Sequence, residues 1–370
     1  MEEKPVPGPV ALIAGITGLV GSALAEILLK ASWKVYGVSR FPKQGLFIFP
    51  QTEKMELIAC DLTDREQTLL KVAPLTDVTH VFWLTWTAHM TYNSLESYTE
   101  NINMFSNALD ALLPVAKGVK HICLQTGTKH YSGPHFPFTE DSPRQPNSYN
   151  FYYGLEDVLF DAVAKKREVL TWSVHRPGII LGQSTRSLFN VVGSLCVYAL
   201  LCKALHFPFI FPGTRACWEE PTLDFSDSML IAEQHLWAAT EVSAHNNVFN
   251  AINGDAQSAT WRNLWPVLAH KFGITLPEDD EDLVDESMSL VDAMSDKGPV
   301  WDYIVKTNSL YCTRIHDLAD WWFLDILFKV PFKLLASGNK CREHGFFNTC
   351  DTDMSLAYWI DRLRESKIIP

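Results

Sequence analysis

Short apolar runs alternate with amphipathic stretches through the first half of the chain. The runs at 10–14, 34–38, 55–60, 80–85, 119–125 and 170–175 predict strands. Between them, 22–30, 96–113 and 151–165 place apolar residues at helical spacing. Strand and helix in turn predict a parallel sheet covered on both faces, the doubly wound Rossmann-type α/β class. After residue 178 the rhythm becomes irregular, with helices and one further strand at 247–252.

This division predicts a flexible tail at 1–8, a dinucleotide-binding domain at 9–180 and a smaller, mainly helical substrate lobe at 181–370. The 247–253 strand is expected to return to the main sheet. Ligands in such folds sit outside the carboxyl ends of the strands, so the lobe should close over that edge.

Composition narrows the field. The 370 residues are 47% hydrophobic and 20% charged, enough to build a large core. A net charge of -12 without a basic tract argues against nucleic acid as a partner. The eight cysteines show no CxxC and several lie in apolar stretches, which predicts reduced thiols, no metal site and a cytoplasmic setting. Two stretches, 191–202 and 321–335, are apolar enough to suggest a membrane. The first is too short to span and the second is broken by Asp325, Lys329, Pro331 and Lys333, so both are expected to be buried or pocket-lining helices.

The first strand runs into AGITGLVG at 14–21. Gly15, Gly18 and Gly21 have the spacing of a dinucleotide turn, where they allow a tight turn, close approach of the pyrophosphate and close packing of helix on strand. A helix starting near Leu19 would aim its free N–H groups at the phosphates. The second strand ends in Ser39 and Arg40, where an NAD-selective site would place an acid on the ribose 2'-hydroxyl. Ser and Arg suit a 2'-phosphate, although a surface arginine at a strand end is the plainer alternative. Asp61, after the third strand, is either an adenine contact or a helix cap before Arg65.

The segment NFYYGLE at 150–156 opens a helix with two adjacent tyrosines. A tyrosine near a lysine can stabilise a developing oxyanion in a nicotinamide site. The usual lysine four residues later is missing: Glu156 follows Tyr152, and Asp157 follows Tyr153. The nearest substitute is Lys129, in QTGTKHY at 125–131. His121, His130 and His175 have no metal-ligand spacing, and His175 reads as a structural histidine.

The stretches AGITGLVGSALAEIL, KVYGVSR, PLTDVTHVFWLTW, LQTGTKHYSGP, NFYYGLEDVL, LTWSVHRPGIILG, DFSDSMLIAEQHLWAA and the terminal SKIIP resemble the progesterone 5β-reductase and iridoid synthase family of atypical extended short-chain dehydrogenases. The resemblance runs from about residue 10 to residue 370. It implies NADPH-dependent reduction of the activated C=C bond of an enone or enal, with Lys129 and Tyr152 as the catalytic pair. It implies cofactor contacts at Gly15, Thr17, Gly18, Leu19, Val20 and Gly21, at Ser39 and Arg40, and at Asp61 and Leu62. Further contacts are implied at Thr85 and Trp86, at Gln125, Thr126 and Gly127, at Tyr152, at Pro177, Gly178, Ile179 and Ile180, and at Ser187 and Phe189. Trp86, Lys129 and Tyr152 would face the substrate, with Trp83 and Phe151 adding to an aromatic wall, and a homodimer is a possible assembly.

Three departures stand out. The chain is short between Gly133 and Glu140, Ile179 stands where asparagine is expected, and Gly154 stands where aspartate is common. Two other functions remain open on the same scaffold. One is carbonyl reduction or epimerisation; the other is a non-catalytic NADP(H)-binding regulator. The displaced lysine favours enone reduction over the former, and the presence of both tyrosine and lysine argues against the latter.

Overall fold

Seven parallel strands form the centre of the molecule, in a computed structural model that describes residues 8–42, 52–87, 93–133, 136–166, 170–254 and 259–370. In chain order they are β1 (Val10–Ala14), β2 (Lys34–Ser39), β3 (Met55–Ala59), β4 (His80–Trp83), β5 (His121–Gln125), β6 (Thr171–Pro177) and, after two short strands, β9 (Asn247–Ala251). Their spatial order is β3-β2-β1-β4-β5-β6-β9. The sequence direction reverses between β1 and β4, which opens a crevice at their carboxyl ends. The tail at 1–7 lies outside the described residues.

One face of the sheet carries α1 (Leu19–Lys30) and α7 (Ser228–Thr240), packed on each other over Ala11, Ile13, Phe82 and Cys123. The other face carries α2 (Arg65–Val72), α3 (Leu95–Leu112) and α4 (Phe151–Ala164), over Leu12, Val81, Ile122 and Val174. Residues adjacent in a strand thus enter opposite cores, as pleating requires. This places Trp83 against Phe105 in the α3 core, with ring centroids 4.6 Å apart, and removes it from the expected aromatic wall. Gly154 has a packing reason: a Cβ there would stand 2.2 Å from Ile102 on α3.

The third core belongs to the later half. Its axis is α5 (Val191–Leu205), buried on every side from Val191 to Cys202, as an all-round apolar helix must be. Around it pack α6 (Arg215–Glu219), α8 (Trp261–Phe272) and the C-terminal helix Thr352–Glu365. Helix 321–327 is half-exposed, with Trp322 and Ile326 facing outward. Among the described residues no helix is long and apolar enough to cross a membrane.

Sequence reading missed one small feature, a parallel pair of three-residue strands, β7 (Ile179–Leu181) and β8 (Phe225–Asp227). Three residues are too few to show a period. The pair matters because β7 continues directly from β6 and carries the chain from the sheet into the helical lobe.

Candidate active site

The glycine turn leaves β1 at the switch point. Gly15 has φ +91°, and a Cβ on it would stand 2.9 Å from the Leu84 carbonyl oxygen and 2.9 Å from the Thr85 side chain. A Cβ on Gly21 would stand 2.1 Å from the Gly15 oxygen. Both positions therefore need glycine, one for conformation and one for space. Gly18 is the N-cap of α1 and no side chain caps that end, whereas α2, α3, α4, α5, α7 and α8 have Asp64, Ser94, Asn150, Asn190, Asp227 and Thr260 in that role. The first-turn N–H groups of Leu19, Val20 and Gly21 have no intrahelical partners, which makes the end of α1 a natural anion seat.

Beside this turn, the Thr17 and Ser39 hydroxyls are 3.0 Å apart. Ser39, Arg40, Asp61, Leu62, Thr85 and Trp86 line one groove with Gly15, Thr17 and Gly18. Arg40 is exposed and has no carboxylate partner among the described residues. Asp61 is not the cap of α2: that role falls to Asp64, which accepts from Gln67 N at 3.0 Å. Asp61 instead accepts from the Thr63 hydroxyl at 2.8 Å, which turns its carboxylate into the groove wall. The segment after β4 is clipped to α3 by buried Asn101, which accepts from Thr87 N at 2.8 Å and donates to Thr87 O at 3.0 Å. Sequence reading missed Asn101, whose partner is defined only by the fold.

Gln125 ends β5, with Thr126 and Gly127 following it, and Pro177 ends the neighbouring β6, with Gly178 following. A Cβ on Gly178 would stand 2.2 Å from Asp224 O, and Ile179 N donates to that same oxygen at 2.7 Å. Ile179 and Ile180 lie in β7. Ser187 borders the groove, and Phe189, at φ +59°, turns the chain inward.

Tyr152 and Lys129 are joined through Asn150, a second residue missed in the sequence. Asn150 is buried; its Oδ1 accepts from Tyr152 N at 3.1 Å and its Nδ2 donates to Lys129 O at 2.8 Å. The N-cap of α4 thus also holds the lysine turn. Aromatic rings complete the cleft: Trp86 stacks on Phe151 at 5.9 Å and on Phe189 at 5.3 Å, and Phe189 meets Phe323 at 4.4 Å. The Lys129 ammonium lies 5.3 Å from the Phe189 ring centre, and the Tyr152 ring meets Phe151 edge-on at 4.8 Å. Phe189 and Phe323 replace Trp83 in the wall.

Lys129 is crowded by protein, yet part of its side chain is exposed to water. The crowding lowers its pKa to about 8; solvent access limits that effect.

Glu156, the residue where a lysine is usual, faces away from the cleft. It is buried between Arg176 at 2.8 Å and Arg144 at 2.8 Å. Burial pushes its carboxyl up, but His130 and Arg176 outweigh this and hold it at about 2. At 3.4 Å the His130 ring is at the limit of a hydrogen bond and burial lowers its own pKa, so the two arginines at 2.8 Å are the firmer charge partners. Tyr153 donates to His130 O at 2.7 Å, and Tyr131 donates to Asn250 at 2.5 Å. The second tyrosine of the pair is therefore a strut.

The fold also gathers Cys123, His175 and His235, a convergence that their spacing in sequence does not show. His175 Nδ1 pairs with Gln234 at 2.8 Å and its Nε2 with Ser173 at 2.9 Å. Burial raises the Cys123 thiol to about 12 and lowers His175 to about 4. Hydrogen bonds within the core knit this cluster together. None of the eight cysteines is in a disulfide; six are buried, Cys350 is half-buried and Cys312 is exposed.

The switch-point crevice, the glycine turn and the helical part that follows the sheet define a Rossmann-type dinucleotide-binding fold of the extended short-chain dehydrogenase architecture. Solved structures with that fold include a Bordetella bronchiseptica enzyme in complex with NAD+, at a TM-score of 0.65 and 16% identity over 97% of this chain and 99% of the other. They also include the UDP-glucose 4-epimerase of Thermotoga maritima, at 0.64 and 15% over 96% and 99%. The chain belongs to the PRISE-like Rossmann-fold domain family, whose pattern matches residues 47–370. It is 45% identical to an (S)-8-oxocitronellyl enol synthase of Camptotheca acuminata and 42% identical to the 3-oxo-Delta(4,5)-steroid 5-beta-reductase of Arabidopsis thaliana. Each alignment covers 98% of this chain and 93% of the relative.

Proposed function

We propose that this protein is an NADPH-dependent reductase of the activated C=C bond of an enone or enal. The observation that carries the reading is Asn150, which fastens the backbones of Lys129 and Tyr152 together at the mouth of an aromatic cleft, beside the glycine turn. The names of its relatives point to the same chemistry. The crowded turn at Gly15 and Gly21, the side-chain-free end of α1 and Arg40, which has no carboxylate partner among the described residues, fit a dinucleotide with a 2'-phosphate. When bound, that cofactor supplies the hydride.

The chain's own residues do the rest. The Tyr152 hydroxyl donates a hydrogen bond to the substrate oxygen as enolate charge develops there. Lys129 adds positive charge near that oxygen. Trp86 and Phe189, backed by the buried rings of Phe151 and Phe323, offer a flat conjugated group an apolar wall and limit water, so the hydrogen bond acts in a low-dielectric setting. An oxygen anchored at Tyr152 leaves the β-carbon, two bonds beyond the carbonyl carbon, as the hydride acceptor. The lobe at 181–370 contributes Phe189 and Phe323 to this wall, in keeping with a substrate-binding part. Largely buried thiols, none in a disulfide, suit a reducing, cytoplasmic compartment.

The test uses NADPH deuterated at the transferred position and a simple cyclic enone. The label is expected at the β-carbon with the carbonyl retained, and saturated ketones of similar size should react poorly. Label at the carbonyl carbon of an allylic alcohol would replace this reading with carbonyl reduction.

A further inference from the structure

We propose that Arg186 is a second clamp on the cofactor's 2'-phosphate, sharing it with Arg40. The inference rests on the reading that the cofactor is NADPH. In the sequence Arg40 stands alone, followed by Phe41, which carries no charge. The fold supplies the second charge from 146 residues further along the chain. Arg186 lines the same groove as Ser39 and Arg40, and its guanidinium carbon lies 5.2 Å from the centre of the Phe41 ring.

Its placement is built, not incidental. Ser184 is buried and donates to Thr17 O in the glycine turn at 3.0 Å. The same hydroxyl accepts from Arg186 N at 3.1 Å and Ser187 N at 2.9 Å. One side chain therefore pins the Arg186 backbone to the phosphate-binding turn. Stacking on Phe41, the residue after Arg40, directs the guanidinium back toward the end of β2. Ser39 tightens that end by accepting from Phe41 N at 3.4 Å.

Charge supports the assignment. Both arginines are exposed, and neither has a carboxylate partner among the described residues. Asp61 is the only acid among the described residues lining the groove, and its Oδ1 is engaged by Thr63. In a chain of net charge -12, two guanidiniums in one groove, neither with a carboxylate partner among the described residues, form a local attraction for a dianion. Two planar forks can also take up more phosphate oxygens than one.

The test is calorimetric titration of Arg186→Ala, Arg186→Lys and Arg40→Ala with NADPH, NADH, adenosine 2',5'-bisphosphate and adenosine 5'-monophosphate. Binding is read directly, without turnover. Arg186→Ala is expected to weaken NADPH and the bisphosphate about tenfold, with under about twofold change for NADH and the monophosphate. Arg186→Lys should recover part of the loss, because it keeps the charge and loses the planar stack. Thermal unfolding should be nearly unchanged, since the side chain is exposed.

Equal weakening of NADPH and NADH would place Arg186 on the pyrophosphate and overturn the proposal. No weakening of either would overturn it too. If Arg40→Ala alone abolishes the NADPH preference, the clamp fails while the NADPH reading stands. A wild-type protein that binds NADH as tightly as NADPH would overturn both.

Discussion

The Tyr152 hydroxyl rests over Gly127: a Cβ at position 127 would meet it at 3.0 Å, with the tyrosine ring at 3.4 Å and Pro177 O at 3.3 Å. The backbone at Gly127 is extended, at φ 174°, so conformation does not demand glycine there. Space does, and the atom that claims it is the proposed oxyanion donor. The end of β5 thereby sets where the hydroxyl can stand.

Gly127→Ala should therefore move the Tyr152 hydroxyl by a few tenths of an ångström and leave the fold intact. Turnover is expected to fall about tenfold, given that a misplacement of ~1 Å can cost ~100-fold. Tyr152→Phe should fall further, with NADPH affinity almost unchanged in both variants. Single-turnover rates beside cofactor titrations separate these effects. Full activity in Gly127→Ala would show that the hydroxyl's position is not limiting.

Glu156 links the fold to pH. Its folded carboxyl, at about 2, lies below the ordinary unfolded value of ~4.3, because the groups around it prevail over burial. The folded state thus binds fewer protons, so the stability from this group is fully present above pH ~4.3 and is lost as pH falls through about 2. Glu156→Gln leaves Arg176 buried without its charge partner at 2.8 Å. At neutral pH this should cost roughly 3 kcal/mol, and the part of the acid dependence due to Glu156 should disappear. Denaturant unfolding from pH 2 to 7 checks both. A wild-type slope retained in the variant would refute the assignment.

The sequence reveals the sheet because β1 to β6 are each at least four residues long, with apolar residues either in a run, as in β1, or alternating with polar ones, as Trp172 and Val174 do in β6. It hides β7 and β8 because three residues carry no period. Lys129 and Tyr152 stand out by residue type and resemblance, but Asn150, Asn101 and Arg186 do not. An asparagine before a helix reads as an ordinary cap, and only the fold shows its second bond to Lys129 O. Arg186 reads as a loop arginine until Ser184 ties its segment to Thr17. Trp83 misled for the opposite reason: it neighbours Trp86 in sequence, yet strand pleating sends it into the α3 core.

Lys129 gives the sharpest pH signature, because its charge is what the proposed mechanism uses. Crowding lowers its pKa from 10.5 to about 8, so protonation of this site is lost as pH rises through a range where lysines normally stay charged. The proposed chemistry needs the ammonium, and the single-turnover rate at saturating NADPH should therefore decline on the alkaline side. The decline should centre at about 8 or somewhat above, since the cofactor's negative charge favours the ammonium. Lys129→Arg keeps a charge that does not titrate there and should flatten this limb, even if its longer fork slows the reaction. Lys129→Met should be slow at every pH and also show no limb. If Lys129→Met keeps the wild-type alkaline limb, another group is titrating and Lys129 does not supply the charge at Tyr152.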